Sequence, residues 1–266
     1  MEPRIVHSIF FSPTGTSRAI ARAVSQGIGG EAEAVLDMTR EAPKAYTFSK
    51  KDVVVVGMPV YGGRLPQAAV ERFQSLEGNE TPAVAIVVYG NRAYEDALAE
   101  LCDLCTAQGF KLVSAAAFVG QHSFSSEKLP IAHGRPDRQD IDCAGQFGIQ
   151  VRELLENGAF LDLETVPGNR PYKPAMQALE AATATAPETC SQCGACAANC
   201  PVQCIEMVDG MPQTWQDGCV WCMACFQRCP TGARKIILPG IHESAKRLHT
   251  HCQSRKEPEI FQPLKK

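Results

Sequence analysis

The chain has no excess of charge of either sign: 26 Lys and Arg stand against 29 Asp and Glu, a formal net of -3 with a pI near 6.1. Its basic residues are scattered, so there is no electrostatic footprint for a nucleic acid. No apolar run reaches the length of a bilayer crossing, and a membrane span is not expected. The apolar stretch Ile5 to Phe11 is interrupted by His7 and Ser8 and is followed by no cleavage region, so no secretory leader is expected and the expected location is cytoplasmic. What the chain does have is 266 residues with 45% hydrophobic content, enough for one ordinary domain and one small one.

It also has 13 cysteines, eight of them in two copies of one pattern: Cys190-x2-Cys193-x2-Cys196-x3-Cys200-Pro201 and Cys219-x2-Cys222-x2-Cys225-x3-Cys229-Pro230. This is the ligand set for two 4Fe-4S cubanes. Three thiolates spaced by two residues wrap one corner of a cubane, and the fourth, displaced and followed by proline, reaches the other cluster. The expected sets are Cys190, Cys193 and Cys196 with Cys229, and Cys219, Cys222 and Cys225 with Cys200. The small residues Gly194, Ala195 and Ala224 suit a backbone that must come close to bridging sulfides. Structural zinc also takes four thiolates, but in C-x2-C pairs rather than in two triplets each followed by Cys-Pro. A disulfide framework does not fit a chain whose thiols stay reduced. Residues 186 to 240 resemble the bacterial two-cluster ferredoxins.

The first half alternates strands with helices. Ile5 to Phe11 reads as a buried strand, followed by a helix in which Ala19, Ile20, Ala23, Val24 and Ile28 share a face until Gly29-Gly30. Strands follow at Ala32 to Leu36, Val53 to Val56, Ala83 to Tyr89 and Leu112 to Val119. Helices are expected from Pro66 through Leu76, over Ala93 to Gln108, and from Asp137 to Asn157-Gly158. Such alternation gives an α/β fold with a five-stranded parallel sheet covered on both faces, with ligands bound at the carboxyl ends of the strands.

Three loops at those ends carry the informative residues. Ser12-Pro13-Thr14-Gly15-Thr16-Ser17 offers hydroxyls and a glycine just before a helix, whose N-terminus presents free N–H groups and a partial positive charge. It has neither the lysine of a Walker loop nor a G-x-G-x-x-G, and it could equally be a simple helix cap. The second loop is Pro59-Val60-Tyr61-Gly62-Gly63-Arg64 and the third is Tyr89-Gly90-Asn91-Arg92-Ala93-Tyr94; each sets an aromatic beside glycine, where a planar ring can lie. The glycine pair either lets a peptide turn toward a bound ring or merely makes a tight turn. In these elements the first half resembles the flavodoxin-like domain. The resemblance implies FMN, with its phosphate on Ser12, Thr14, Gly15, Thr16 and Ser17 and its ring between Pro59, Val60, Tyr61, Gly62 and Gly63 on one side and Tyr89, Gly90, Asn91, Arg92 and Tyr94 on the other. Flavodoxins usually show Asn and Thr where this chain has Thr16 and Ser17.

As a whole, the chain resembles the fused flavodoxin and ferredoxin electron-transfer proteins of anaerobes, the EFR-type ferredoxins, in which a Gly-Asn-Arg-Pro-Tyr-Lys-Pro segment joins the domains; here it is Gly168 to Pro174. The resemblance implies a flavodoxin-like FMN domain over 1–158, a linker over 159–185, a small α+β two-cluster ferredoxin domain over 186–240 and a C-terminal tail over 241–266. The linker's basic residues are expected to be solvated. Cys102, Cys105 and Cys143 are expected to be packing residues, Cys204 a thiol beside the clusters, and Cys252 no metal ligand despite His249 and His251. Trp221, between two ligands, is expected to shield its cluster from water.

Clusters that exchange single electrons and a flavin that takes two in steps make electron transfer to or from partner redox proteins the leading expectation, with no catalytic residue assigned. The alternative is a reductase acting on a small organic acceptor. It is motivated by the long segment Gln121 to Asp140 with His122, Ser123, His133 and Arg135. A zinc scaffold without redox chemistry is the third class.

Overall fold

The structure is a computed structural model that describes residues 5–30, 32–176, 180–215 and 218–263. The chain runs through β1 (Ile5–Phe10), α1 (Thr16–Ile28), β2 (Ala32–Asp37), β3 (Tyr46–Phe48), β4 (Val53–Pro59), α2 (Gln67–Phe73), β5 (Leu76–Gly78), β6 (Thr81–Tyr89), α3 (Ala97–Ala107), β7 (Phe110–Val119) and α4 (Arg138–Glu156). It continues with β8 (Thr183–Thr185), α5 (Ala195–Ala198), β9 (Ile205–Val208), β10 (Met211–Thr214), α6 (Ala224–Gln227), β11 (Arg234–Ile236), α7 (Pro239–His251) and β12 (Glu259–Phe261).

The central sheet has the order β12-β7-β6-β4-β1-β2. Its five parallel strands, numbered among themselves, read 2-1-3-4-5, the doubly wound flavodoxin-like order. Every residue of β4 and β6 is buried, as their unbroken apolar sequences require of interior strands with helices on both faces. One core lies under α2 and α3, with Phe73, Leu98 and Leu101 among its members; the other lies under α1 and α4, with Ile20, Val24, Phe147 and Val151. Helices α1 and α4 meet at glycines: a Cβ on Gly27 would sit 2.1 Å from Gly145 O, and one on Gly148 would sit 2.2 Å from Val24 O. A side chain at either place would force the two helices apart. Helix α4 starts where Asp137 and Asp140 form a reciprocal capping box.

The sheet is not purely parallel with five strands, as the sequence led us to expect. A sixth strand, β12, pairs antiparallel with β7, Glu259 to Phe261 lying against Ala117 to Ala115, and Ser114 Oγ donates to Phe261 O at 2.7 Å. The segment expected as a C-terminal tail thus supplies α7 and an edge strand. Two residues of β12, Glu259 and Ile260, are exposed, and three residues of alternating character are too short a signal to read as a strand. A side ladder of β3 and β5 was also not expected; it takes Leu76 out of the preceding helix, which ends at Phe73. Helix α3 begins at Ala97 rather than Ala93, because the chain first turns through positive φ at Asn91 and Glu95.

The cysteine-rich half is built of two short antiparallel ladders, β9 with β10 and β8 with β11, around two one-turn helices. β8 falls inside the segment expected as linker. The rest of that segment is not a solvated tether. Gly168 to Pro174 is strapped along α3: Asp96, fully buried, accepts from Asn169 N (2.8 Å), Asn169 Nδ2 (2.9 Å) and Lys173 N (2.7 Å). Arg170 makes a bidentate pair with Asp103, Tyr172 Oη also donates to Asp103, and Lys173 Nζ pairs with Glu95. Burial alone would raise the Asp96 pKa, but the donors from Asn169 and Lys173 outweigh it and hold the carboxyl below its ordinary value. The expectation of a solvated stretch failed because Asp96 and Asp103 are some 70 residues away in sequence, and only the folded α3 sets both acids on one face.

Candidate functional site

At the carboxyl ends of β4, β6 and β7 lies a cavity of about 340 Å³. The sheet side contributes Thr14, Thr16, Pro59, Val60, Tyr61, Gly62, Gly63, Val88, Tyr89, Gly90 and Arg92. Gln121, His122, Ser123 and Phe124 close one flank. The roof comes from the other half of the chain: Val220 and Trp221 from the second cysteine repeat, and Ser244, Arg247 and Leu248 from α7. The sequence reading placed the strand-end loops here and missed the roof, because nothing local in α7 marks it as a lid.

The first loop turns sharply into α1. Gly15, the N-cap of α1, stands at φ 94° and the helix has no acid in its first turn. Ser12 Oγ accepts from Arg18 N at 3.0 Å, while Ser17 Oγ is buried without a hydrogen-bond partner. A buried hydroxyl left unpaired is costly, and this one sits in the first turn of α1. Arg228, from just after α6, reaches over this loop and donates from Nε to Pro13 O at 3.1 Å. A Cβ placed on Gly15 would lie 3.6 Å from Nη2 of both Arg18 and Arg228.

The second loop is a tight turn: Tyr61 and Arg64 exchange N–H···O bonds at 2.9 and 3.2 Å, with Gly62 and Gly63 at φ 61° and 86°. A side chain at either position would be strained by the positive φ, and its Cβ would displace the Met176 or Glu95 side chain, approaching Met176 Sδ to 2.6 Å or Glu95 Oε2 to 2.2 Å. The Gly63 carbonyl is already taken by Asp96 N at 3.1 Å. Of the third loop, Tyr89, Gly90 and Arg92 face the cavity. Asn91 and Tyr94 instead hold the C-terminal segment: Asn91 Nδ2 donates to Cys252 O and Ser254 O, and Tyr94 Oη donates to Glu259.

His122 packs edge-on to Phe124 and presses on Gly90. Its Nδ1 accepts from Phe124 N at 3.0 Å, so the neutral ring carries its proton on Nε2. Burial, reinforced by the positive charge of Arg92, lowers its pKa to about 4. Of the other residues in the long segment, Ser123 lines the cavity. His133 is exposed, and Arg135 is buried in a pair with Asp140.

The cysteines gather around two further small cavities. One is lined by Cys190, Cys193, Cys196 and Cys229, the other by Cys200, Cys219, Cys222 and Cys225 together with Cys204. Each repeat therefore sends its fourth cysteine to the cavity of the other. Cys204 lies 3.6 Å from Cys200. Its thiol bonds to the Cys200 and Cys219 sulfurs, which drives its own pKa up and lowers both of theirs. Cys193 is exposed, with its pKa lowered by the Ala195 N–H and the Ser191 hydroxyl. Cys222 is fully buried. Arg234 is 1% exposed between the ladders and donates to Thr183, Thr185 and Thr214, while its Nε has no partner. Among the described residues Arg234 has no carboxylate partner; a buried cation so placed is expensive unless negative charge is brought beside it, and Arg234 lines the first of these cavities. Among the described residues no three Cys, His, Asp or Glu side chains converge as a single bound ion would require.

The second cysteine cavity and the large cavity share Val220 and Trp221 as a wall. Across it, burial and then the neighbouring Cys222 push the Tyr61 pKa well up. Trp221 is pinned by its indole N–H to Glu180 O at 3.0 Å, and Gln227 Nε2 donates to Ser123 O at 2.9 Å. Cys102 and Cys105 are fully buried in the core under α3, and Cys252 packs near Leu248.

No family model matches the chain, and neither does any curated protein. Among solved structures it is similar to the flavodoxin of Streptococcus pneumoniae TIGR4, at 19% identity and TM-score 0.41, over 56% of this chain and 98% of that one. Flavodoxin 2 from Bacillus cereus matches at 13% identity and TM-score 0.40, over 56% and 98%. A flavodoxin from the domain Archaea matches at 14% identity and TM-score 0.37, over 57% and 99%.

Proposed function

We propose that the chain is an electron carrier holding FMN in the large cavity and a 4Fe-4S cluster in each cysteine cavity, passing electrons to or from partner redox proteins. The observation that carries this reading is the shared wall: the second cysteine set and the strand-end cavity meet at Val220 and Trp221. The clusters exchange single electrons, and the flavin joins that traffic to two-electron traffic.

The residues present fit these groups. The crossed sets of four thiols are what two cubanes take from doubled C-x2-C-x2-C-x3-C-P runs, and Arg234 supplies a buried counter-charge for an anionic cluster. Ser17 and the N-terminus of α1 suit a phosphate, and Tyr61 and Tyr89 suit a planar ring. Exposed Cys193 places the first set near the surface, where a partner protein can dock, while buried Cys222 faces inward toward Tyr61. Trp221, Leu248 and Phe124 exclude water from the space between.

A second reading, a reductase for a small organic acceptor, is favoured by His122, whose Nε2–H belongs to a ring lining the cavity. The two are separated by reducing the protein under anaerobic conditions and offering oxidised ferredoxin or small organic acceptors in turn. The carrier reading expects reoxidation by the protein acceptor; reoxidation only by a small molecule would establish the reductase instead.

A further inference from the structure

Two guanidinium groups meet over the first loop. Nη2 of Arg18 and Nη2 of Arg228 each lie 3.6 Å from the point where Gly15 would carry a Cβ, so they are at most about 7 Å apart. Among the described residues neither makes an ion pair, and Arg228 is held in place by its Nε bond to Pro13 O. Like charges this close repel, and they converge at Gly15, the residue that precedes the positive end of α1.

Arg18 belongs to the flavodoxin-like half and Arg228 to the cysteine-rich half. In the first repeat the position of Arg228 is held by Asn199, and that of its docking neighbour Gln227 by Ala198. The two repeats thus share their ligands and differ where the second one touches the other half.

We propose that Arg228 and Arg18 close together on the phosphate of the bound flavin nucleotide, so that this phosphate latches the cysteine-rich half onto the sheet. The inference rests on the FMN reading above and adds a partner for its phosphate that the first loop alone does not supply. An anion bound by groups from both halves links cofactor affinity to docking of the halves, and the linkage is reciprocal. A flavin without a phosphate cannot make it.

The test uses the full chain with its iron-sulfur centres intact and its flavin removed, titrated anaerobically with FMN and with riboflavin while flavin fluorescence is followed. Arg228→Ala should weaken FMN at least tenfold and riboflavin less than twofold, with Arg228→Lys intermediate. Arg18→Ala, a change at an exposed helix residue, should also weaken FMN selectively. In the unsubstituted chain FMN, and not riboflavin, should slow amide hydrogen exchange around Ser123 and Gln227. Equal loss of both flavins in Arg228→Ala would make Arg228 a general packing residue and overturn the latch, as would unchanged FMN affinity in both alanine variants. If the unsubstituted chain binds neither flavin, the FMN reading itself fails, which is a different outcome from loss of the latch alone.

Discussion

Replacing Asp96 by asparagine asks whether one buried carboxylate holds the strap that leads from the sheet to the cysteine-rich half. The carboxylate accepts three hydrogen bonds, two from Asn169 and one from Lys173, at 2.7 to 2.9 Å. An amide of the same shape keeps one oxygen, so whichever way it lies an NH2 group faces an N–H. Losing a hydrogen bond to a charge costs roughly 1.5–3 kcal/mol. The surviving bonds, no longer charge-assisted, keep about half their strength. The strap should therefore open more easily by about 3 kcal/mol. Amide hydrogen exchange at Asn169 and Lys173 should accelerate roughly 100-fold, with β6 amides unaffected. Unchanged exchange at these two residues would refute the anchoring role; equal acceleration in β6 would show that Asp96 supports the whole fold rather than the strap.

Ser17→Ala should act with opposite signs on the two states: it removes an orphaned buried hydroxyl and so stabilises the flavin-free protein by up to about 1 kcal/mol, yet it weakens FMN binding about tenfold. Thermal unfolding and flavin titration of the same sample check both, and a loss of flavin-free stability would contradict the site. Cys200→Ala should remove the cluster bound by Cys219, Cys222 and Cys225 and spare the one bound beside its sequence neighbours, which iron content and electron paramagnetic resonance of the reduced protein distinguish. His122 titrates near 4 when folded and near 6.5 when unfolded, so between those values the unfolded chain binds the extra proton. Stability should rise with pH across that window and be lost as pH falls through it, by no more than about 3 kcal/mol. Denaturant midpoints from pH 4 to 7 should show that slope, and His122→Phe should flatten it.

The parallel strands, the three loops and the doubled cysteine pattern were legible because each is local: continuous apolar runs, hydroxyls before a helix, ligands at fixed spacing. The spacing also led us to expect Cys200 and Cys229 to cross between the repeats, and in the fold Cys229 lines the cavity of Cys190, Cys193 and Cys196 while Cys200 lines that of Cys219, Cys222 and Cys225. What was not legible depends on residues distant in the chain. Asp96 looks like any surface acid of a helix until Asn169 and Lys173 fold onto it. Asn91 and Tyr94 sit in a loop that reads as a cofactor rim, but the C-terminal segment returns to claim them. Helix α7 shows only an ordinary apolar face, Ile241, Ala245 and Leu248, and its sequence does not say that Leu248, with Ser244 and Arg247 beside it, caps a cavity. One signal was available and unused: Phe226, Gln227 and Arg228 replace Ala197, Ala198 and Asn199 between otherwise matched ligands. Gln227 and Arg228 are the residues that reach Ser123 and Pro13 of the other half.

The central claim is that one chain holds both kinds of redox centre, and the most direct measurement is the iron, sulfide and flavin content of protein purified without oxygen, with its visible spectrum before and after reduction. The account predicts about eight iron and eight sulfide per chain, FMN rather than FAD released on denaturation, and absorbance that bleaches on reduction. A colourless protein containing zinc and no flavin would contradict it.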